Sequence, residues 1–268
     1  NRHIRISLAY VIMIILIWIP MARRKSLAFL DVGQGDCFVA DTKSGAIIFD
    51  GGSSSEDQVG RYRILPYMKY LGYQKIQIAV ISHMDIDHYS GIKELLEMGK
   101  IKYLGLPEIP KDETMKKIIG IAKKRGTTIF YLSRGRQITT KDGSLKVLHP
   151  QKNSQMEKNA ASLVMQGKIL GYRVLLTGDV EKEGEEELLS EELERADILK
   201  AAHHGSKNST SNEFLQKVQP KQTVISCGKQ NRYGHPHLET IHRLQTYRTK
   251  IYRTDRSGAI IFFKRRDG

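Results

Sequence analysis

Cysteine and aromatic residues are scarce in this chain of 268 residues. The two cysteines, Cys37 and Cys227, lie far apart and form no CxxC pattern, so the sequence indicates neither a disulfide framework nor a zinc finger. We expect two buried thiols in strands rather than one disulfide. Aromatic residues make up 7% of the chain and form no evident base-stacking pattern, so sequence-specific reading of a nucleic acid is not expected.

Acidic residues are also few in comparison with basic ones. The chain has 29 Asp and Glu against 43 Lys and Arg, a formal net charge of +14. Five of these basic residues flank an N-terminal apolar run, which leaves +9 from Ser26 onward. An excess of this size favours a polyanionic or acidic partner, although a merely soluble basic protein would show the same charge.

The charge is unevenly distributed along the chain. Residues 181–197 carry nine acids and two bases, whereas residues 237–268 carry eight bases and three acids. If the partner is a nucleic acid, we expect the acidic segment to face away from it. The C-terminal region should face toward it.

The N-terminal segment lacks charge altogether between residues 6 and 22. An apolar run of about 17 residues is at the lower limit for a membrane span. Trp18 lies near one end, where an interfacial aromatic belongs. A signal peptide and a buried helix are the alternatives. We predict a membrane-spanning segment and its flank at 1–25, with an orientation that the flanking bases do not decide, and one domain at 26–268.

From Ser26 onward the hydrophobic pattern predicts a mixed domain of strands and helices. Short apolar runs bounded by turn residues indicate strands, and apolar residues at helical spacing indicate helices. Strands are expected at 27–32, 37–40, 46–50, 76–81, 144–149, 161–169, 171–176, 197–201, 223–226, 250–254 and 258–264. Helices are expected at 59–71, 89–98, 114–125, 181–194, 212–219 and 237–247.

Four potential metal ligands lie within six residues, directly after the apolar strand 76–81. They are His83, Asp85, Asp87 and His88. Alternate residues of an extended segment point the same way, so the first three can share one side while the fourth turns in beside them. Imidazole and carboxylate groups bind borderline and hard divalent cations. Solvated loop residues are the simpler alternative, but four ligands in so short a loop favour two metal ions.

Three later loops, each after a predicted strand, carry further candidate residues. Asp179 ends a strand behind a glycine and suits a ligand that bridges two cations. His203 and His204 could supply one ligand and one substrate contact. The segment 231–237 precedes a helix and forms a plausible anion site. Ordinary surface residues are the alternative there, above all for Arg232.

These motifs, in their order along the chain, resemble the metallo-β-lactamase superfamily. The signature of that superfamily is His-x-His-x-Asp-His, followed by a bridging Asp and a late His. More narrowly, the chain is similar to the C-terminal hydrolase domain of ComEC-type competence proteins. The resemblance covers about residues 27–264 and is carried by five blocks: 29–36, 82–88, 176–179, 203–206 and 233–236.

The resemblance implies an αββα four-layer sandwich with two divalent ions at the edge of its sheets. One ion would be held by His83 and Asp85 and the other by Asp87 and His88, with Asp179 between them and either His203 or His204 completing the second site. Further roles are implied by position. Asp87 and His235 would be catalytic, Lys200, Ser206, Arg232 and Tyr233 would contact substrate, and Asp31, Asp36, Asp50, Asn159 and Ser162 would be structural residues near the site.

Two departures from the superfamily pattern affect the metal site. Asp85 stands where the superfamily has a second histidine, which shifts the expected metal from strict Zn²⁺ toward Mn²⁺ or Mg²⁺, with Zn²⁺ still possible. The superfamily's middle histidine has no clear counterpart. His149 is the single histidine in that interval, and Asn159 and Ser162 are the other candidates to fill the position.

The function implied is a metal-dependent phosphodiesterase or nuclease that degrades DNA during competence uptake. Two ions would lower the pKa of a shared water, and His235, if protonated, would donate to the leaving group or bind a phosphoryl oxygen. The expected partners are single-stranded DNA, the cell membrane and other domains of an uptake channel, with the hydrolase domain outside the cytoplasm. The alternatives are a small-molecule or cell-wall phosphodiesterase or esterase, and a non-catalytic DNA-binding module.

Overall fold

The computed structural model of the protein describes Tyr10 and residues 24–156, 159–191 and 193–265. The predicted membrane segment at 1–25 lies outside these ranges, apart from Tyr10, Arg24 and Lys25. Within the described residues, no helix combines the length and the apolar character that a membrane crossing requires.

Two seven-stranded sheets form the centre of the domain. The first contains β1 (Ser26–Phe29), β2 (Phe38–Thr42), β3 (Gly45–Phe49), β4 (Ile76–Val80), β5 (Ile101–Pro107), β6 (Thr128–Leu132) and β14 (Ile260–Phe263). Its strand order is β14-β1-β2-β3-β4-β5-β6. The pairs from β14 to β3 are antiparallel, and those from β3 to β6 are parallel.

The second sheet mirrors this arrangement. Its strands are β7 (Gln137–Thr140), β8 (Gly143–His149), β9 (Val164–Ile169), β10 (Tyr172–Leu176), β11 (Ile198–Lys200), β12 (Gln222–Ile225) and β13 (Lys250–Arg253). The order is β13-β12-β11-β10-β9-β8-β7. The pairs from β7 to β10 are antiparallel, and those from β10 to β13 are parallel.

Strand alternation assigns side chains to the two faces of each sheet. In β1, Leu27 and Phe29 pack between the sheets, while Ala28 belongs to the cluster on the outer face. In β10, Val174 and Leu176 pack between the sheets, while Leu175 belongs to the cluster on the outer face of the second sheet. This period of two is why both faces of each sheet must be covered by another layer.

Helices supply those outer layers. They are α1 (Leu65–Tyr70, continuing a π-helical turn Gly60–Ile64), α2 (Ile86–Glu97), α3 (Glu113–Lys124), α4 (Lys182–Leu189), α5 (Asn212–Val218), α6 (Leu238–Thr246) and α7 (Thr254–Ser257). Apolar residues of α1 to α3 pack on the first sheet, and those of α4 to α6 pack on the second. The predicted αββα four-layer sandwich is therefore confirmed.

Some element assignments from the sequence were incomplete. Strands β5, β6 and β7 were not predicted, because they are short or interrupted by glycine and are extended through pairing with neighbouring strands. Helix α2 begins at Ile86 rather than near residue 89, with Asp85 as its N-cap. His83 to His88 therefore lie on a loop and a helix N-terminus, not along an extended strand.

Strand direction brings the predicted site residues together. Asp50 follows β3 and His83 follows β4, two parallel neighbours in the first sheet. Asp179 follows β10 and His204 follows β11, two parallel neighbours in the second. The carboxyl ends of these strands open at one edge of the sandwich, where loops can converge.

Candidate metal centre

Backbone contacts between glycine-rich loops form the floor of the site. The Asp36 amide donates to the Asp87 carbonyl at 3.0 Å, and the Gly52 amide donates to the Asp36 carbonyl at 3.1 Å. A Cβ atom at Gly52 would lie 2.5 Å from the carbonyl oxygen of Ile86. The loop after β3 can therefore pack against the start of α2 only if residue 52 is glycine. A Cβ atom at Gly35 would lie 2.2 Å from the carbonyl oxygen of Gly52, so packing requires glycine at both positions.

Asp50 orients a metal-binding histidine rather than joining the donors itself. Its Oδ1 accepts from the Ser82 amide at 2.7 Å, and the Nδ1 of His88 lies 2.9 Å from its Oδ2. A carboxylate on one imidazole nitrogen fixes the ring and leaves Nε2 for a cation. The geometry agrees with the positional role predicted for Asp50.

His83 is held in a similar way by two hydroxyl groups. Its Nδ1 lies 3.0 Å from Ser82 Oγ and 3.2 Å from Ser162 Oγ. The Ser162 hydroxyl also accepts from the amide of Asp179 at 3.2 Å. The Nε2 of His83 points to Asp85, 3.6 Å from its Oδ2. Ser162 therefore supports two candidate ligands from behind.

Four side chains meet at the centre of the site. Ligand atoms of Asp36, His88, Asp179 and His204 all lie within 4.8 Å of one another and could hold a metal ion. Oδ2 of Asp179 is 3.2 Å from Nε2 of His88 and 3.3 Å from Nε2 of His204. The same His204 nitrogen is 3.2 Å from Oδ2 of Asp87. Asp36, predicted to lie near the site, lies within this cluster.

The adjacent histidines point to different partners. His204 is buried, and its Nδ1 donates to the Ser226 carbonyl at 2.9 Å. His203 is partly exposed, with Nδ1 at 2.8 Å from Glu181 Oε1 and Nε2 at 3.8 Å from Asp179 Oδ2. Both residues adopt left-handed φ angles of 47° and 52°, a conformation that costs about 1–3 kcal/mol per residue. Of the two, His204 belongs to the central cluster.

Lys200 lies beneath the cluster instead of facing the pocket. Its side chain is 5% exposed, and Nζ donates to the Gly178 carbonyl at 2.8 Å. The same ammonium pairs with Asp36 and lies 3.4 Å from Oδ1 of Asp179. Lys200 was predicted to contact substrate. In the structure its ammonium neutralises carboxylates and leaves Oδ2 of Asp179 to the imidazoles.

The cluster strongly shifts its own proton equilibria. Burial opposes ionisation of Asp87, but the imidazole of His204 at 3.2 Å and the charge of His88 lower the pKa of Asp87 to about 2. Burial would lower the pKa of His204, but the charges of Asp179 and Asp36 raise it to about 10. The pKa of Asp179 is lowered well below its usual range despite burial, by His204, His88 and Lys200. The carboxylates of Asp87 and Asp179 are therefore ionised.

His235 lies beside the histidine pair at the mouth of the pocket. Its ring centroid is 5.5 Å from that of His203 and 6.1 Å from that of His204. Burial, together with the neighbouring imidazoles of His204, His203 and His237, lowers the pKa of His235 to about 4. Its imidazole is therefore neutral at pH 7, which does not favour the protonated form considered from the sequence. It can still donate one N–H.

The other predicted substrate contacts divide into two groups. Arg232 and Tyr233 are exposed on the loop before His235, and Tyr233 lines the pocket. Ser206 is buried, and its carbonyl accepts from Thr240 Oγ1 at 2.8 Å. The structure thus brings two of the four predicted contacts to the pocket mouth.

Three further candidates lie outside the donor set. Asp31 accepts from the Gly33 amide in a local turn, and the carbonyl of Asn159 accepts from the Ser162 amide. His149 Nε2 donates to the Ala160 carbonyl at 2.7 Å, and its Nδ1 lies 3.3 Å from Glu187. His149 therefore does not replace the missing middle histidine.

The expected charge separation is only partly observed. Glu181, at the start of the acidic segment, lies in the site against His203 and was missed as a site residue. Its one signal in the sequence was its position two residues after Asp179. Arg243, expected to face a nucleic acid, donates to the carbonyls of Lys207, Ser209 and Thr210 and supports a loop instead.

The donor atoms fit divalent cations. Buried Nε2 atoms of His83, His88 and His204 make no hydrogen bond of good geometry among the described residues. They converge with ionised carboxylates, the mixture of nitrogen and oxygen donors that Zn²⁺ and Mn²⁺ accept. Such orphaned buried nitrogens are costly unless a bound partner satisfies them.

Comparison with known proteins agrees with this geometry. The family model described as "Metallo-beta-lactamase superfamily" matches residues 30–229. "ComE operon protein 3" of Bacillus subtilis (strain 168) is 35% identical over 278 residues, covering 96% of this chain and 35% of that protein. "Competence protein ComA" of Neisseria gonorrhoeae is 30% identical, covering 89% of this chain and 32% of that protein. The chain spans about a third of the length of these curated relatives.

Solved structures resemble the fold at low sequence identity. The metallo-beta-lactamase fold protein YhfI from Bacillus subtilis aligns with a TM-score of 0.59 at 12% identity, covering 88% of this chain and 99% of that one. The short form of human tRNase Z aligns with a TM-score of 0.52 at 13% identity, covering 90% and 99%. These likenesses bear on the fold alone.

Proposed function

Because this chain belongs to the metallo-β-lactamase superfamily and matches its competence-protein branch, we propose that it is a metal-dependent phosphodiesterase that cleaves DNA during uptake. The observation that carries the proposal is the convergence of Asp36, His88, Asp179 and His204 at one sheet edge. An intact, ionised donor set of this kind supports catalysis over a non-catalytic binding role.

Two divalent ions are proposed, with Mn²⁺ or Zn²⁺ favoured and Mg²⁺ also suited to the carboxylates. Asp179 would lie between them, because its Oδ2 faces imidazoles from three directions. One ion would bind Asp87, His88 and His204, and the other His83 and Asp85.

His203 is our candidate for the role of the superfamily's missing middle histidine. Its Nε2 approaches Asp179 from the exposed side, 3.8 Å from Oδ2. Glu181 holds its Nδ1 at 2.8 Å, the carboxylate–histidine arrangement common behind metal ligands. Ser162, the earlier candidate, contacts His83 Nδ1 and the Asp179 amide and is better suited to support.

Ions held there would supply activation of water and neutralisation of charge on a phosphoryl group. The protein's own residues would do the rest. Asp50 and Glu181 hold two imidazoles in orientation, and Lys200 keeps Asp179 turned toward the imidazoles. The neutral imidazole of His235, at the pocket mouth, would donate its N–H to a phosphoryl or leaving-group oxygen.

DNA is the proposed substrate because of the net charge and the relatives. The net charge of +14 favours binding of a polyanion. One relative is named a competence protein and another a ComE operon protein. By the same likeness we propose single-stranded DNA, attachment to the cell membrane, a position outside the cytoplasm and contact with other domains of an uptake channel.

The test is cleavage of end-labelled single- and double-stranded DNA by the chain with Mn²⁺, Zn²⁺, Mg²⁺ or EDTA. Asp87→Ala should reduce turnover at least about 100-fold, since even losing a residue behind a ligand costs about 10- to 100-fold. Asp57→Ala, an exposed carboxylate on a neighbouring loop, is the matched control and should retain activity.

Three other outcomes of the cleavage assay would contradict the proposal. Intact DNA with every metal, together with hydrolysis of a small phosphodiester, would replace the proposal by a small-molecule or cell-wall phosphodiesterase or esterase. Binding of DNA without turnover of either substrate would favour a non-catalytic module. Equal activity of wild type and Asp87→Ala would rule out this centre as the source of cleavage.

A further inference from the structure

The pocket is polar, but its lining includes one exposed aromatic ring. A cavity of ~140 Å³ is lined by ionisable and amide side chains and, among the described residues, one phenol, that of Tyr233. The face of that ring is apolar, so it suits a flat apolar group better than it suits a phosphate.

Tyr233 is held in place but left open. Its ring stacks on that of His235, with 5.7 Å between centroids and an interplanar angle of 21°. Arg232 Nη2 donates to its hydroxyl at 2.7 Å, and the guanidinium carbon lies 4.9 Å from the ring centroid. Even with both neighbours, 42% of Tyr233 remains exposed. An ordered aromatic side chain with a free surface loses little entropy when it binds a second ring.

The loop that carries Tyr233 is fixed by Asn231. The side-chain amide of Asn231 donates to the carbonyls of Gly228 and His235 at 2.9 and 2.6 Å, and its Oδ1 accepts from the His235 amide at 2.9 Å. Three bonds from one side chain close the turn and set the direction of the ring before substrate arrives. Preorganisation of this kind strengthens binding by lowering its entropic cost.

Positive charge accompanies the ring. Arg232 is exposed, and its guanidinium bonds to the hydroxyl of Tyr233, a residue that lines the pocket. An arginine beside an exposed aromatic ring can bind a phosphate while the ring holds the neighbouring base. This pairing of a backbone contact with a stacking contact is how proteins hold single strands without reading sequence.

We propose that Tyr233, which contacts Arg232 and His235, uses its exposed surface to stack on one nucleobase of the DNA strand next to the phosphate that is cleaved. The proposal rests on the proposed function and names the subsite that selects an unstacked strand. Because every base has a π-face, the subsite tolerates any sequence and favours single-stranded over duplex DNA.

A cycle of protein and substrate changes tests the proposal. Single-stranded oligonucleotides carrying one abasic residue at successive positions are cleaved by wild type, Tyr233→Ala, Tyr233→Phe and Tyr62→Ala. Tyr62, 64% exposed on the π-helical turn before α1, is the matched control. Thermal unfolding and metal binding of each variant verify that the domain and its centre are intact.

In wild type, an abasic residue at one position should raise KM roughly 5- to 150-fold, the range for loss of one stacked base. Tyr233→Ala should raise KM for the intact strand by a similar factor and no longer respond to that abasic residue. Tyr233→Phe and Tyr62→Ala should behave as wild type.

The nuclease activity and the stacking subsite can be refuted separately. If wild type cleaves DNA but the abasic scan is flat, or if Tyr233→Ala responds to it as wild type does, the stacking subsite is refuted while the nuclease stands. If wild type cleaves no oligonucleotide with any metal that it binds, both the nuclease and the subsite are refuted.

Discussion

Replacing Lys200 by methionine should destabilise the protein strongly without metal and much less with it. The ammonium is buried, donates to the Gly178 carbonyl, and pairs with Asp36 and Asp179. Methionine fills a similar volume but leaves two buried carboxylates without their cation. Removing one partner of a buried ion pair typically costs about 3–5 kcal/mol.

That cost converts to a measurable thermal shift. For a domain of this size, 1 kcal/mol lowers Tm by roughly 2–4 °C, so Lys200→Met should lose ~6–20 °C in EDTA. The variant site carries one more net negative charge, so a divalent ion should bind more tightly and restore part of the loss. Differential scanning calorimetry of both proteins, with EDTA and with saturating Mn²⁺, measures both effects.

Lys221→Met is the matched control for this experiment. Lys221 also pairs with a carboxylate, Asp197, at 3.0 Å, but its side chain is 64% exposed. An exposed pair contributes at most about 1 kcal/mol, so the control should lose no more than a few degrees. Two results would show that Lys200 is not the internal cation of the site. One is an equal decrease in Tm for both variants in EDTA. The other is a Tm difference between Lys200→Met and wild type that does not become smaller with Mn²⁺.

Two further predictions concern the same region. Because the pKa of His204 is raised from its usual 6.5 to about 10, its protonated form stabilises the fold fully below about pH 6.5, and this contribution is lost as pH rises through 10. The Tm in EDTA should therefore fall between pH 7 and 10. The decrease should be smaller with bound Mn²⁺ and in His204→Asn. A wild-type Tm in EDTA that does not change over this pH range would contradict the prediction. Glu185 is buried and accepts from the amides of Thr210 and Ser211, so Glu185→Gln should lower the free energy of unfolding by about 1.5–3 kcal/mol in urea denaturation. Exposed Glu186→Gln is its control and should change little, and equal losses would refute the role of Glu185.

The architecture was largely predictable because its signals are local. Consecutive apolar residues in β1 and β10 indicate strands with two buried faces, and such strands require covering layers. Strand β5 (Ile101–Pro107) was missed because Gly105 and Pro107 are poor strand formers. It is extended because it pairs in parallel with both β4 and β6, and that pairing is not encoded within its own seven residues.

Candidate ligands were predictable where they are adjacent in sequence. His83 and His88 belong to a six-residue segment with four potential metal ligands, so several of these ligands lie close together whatever the local backbone conformation. Asp50 was expected to be positional, and its bonds to Ser82 and His88 agree. The sequence by itself therefore determined which residue types gather at the sheet edge, and their oxygen and nitrogen donors predict a divalent cation there.

Tertiary structure decided how these residues are oriented. Sequence could not choose between His203 and His204, because the choice depends on two left-handed backbone angles set by the loop's packing. The sequence also did not predict that Asp36 lies in the cluster or that Lys200 is buried beneath it. Both positions follow from contacts between distant loops. A side chain's role in this site depends on which charges surround it, and only the folded chain brings those charges within a few ångströms of one another.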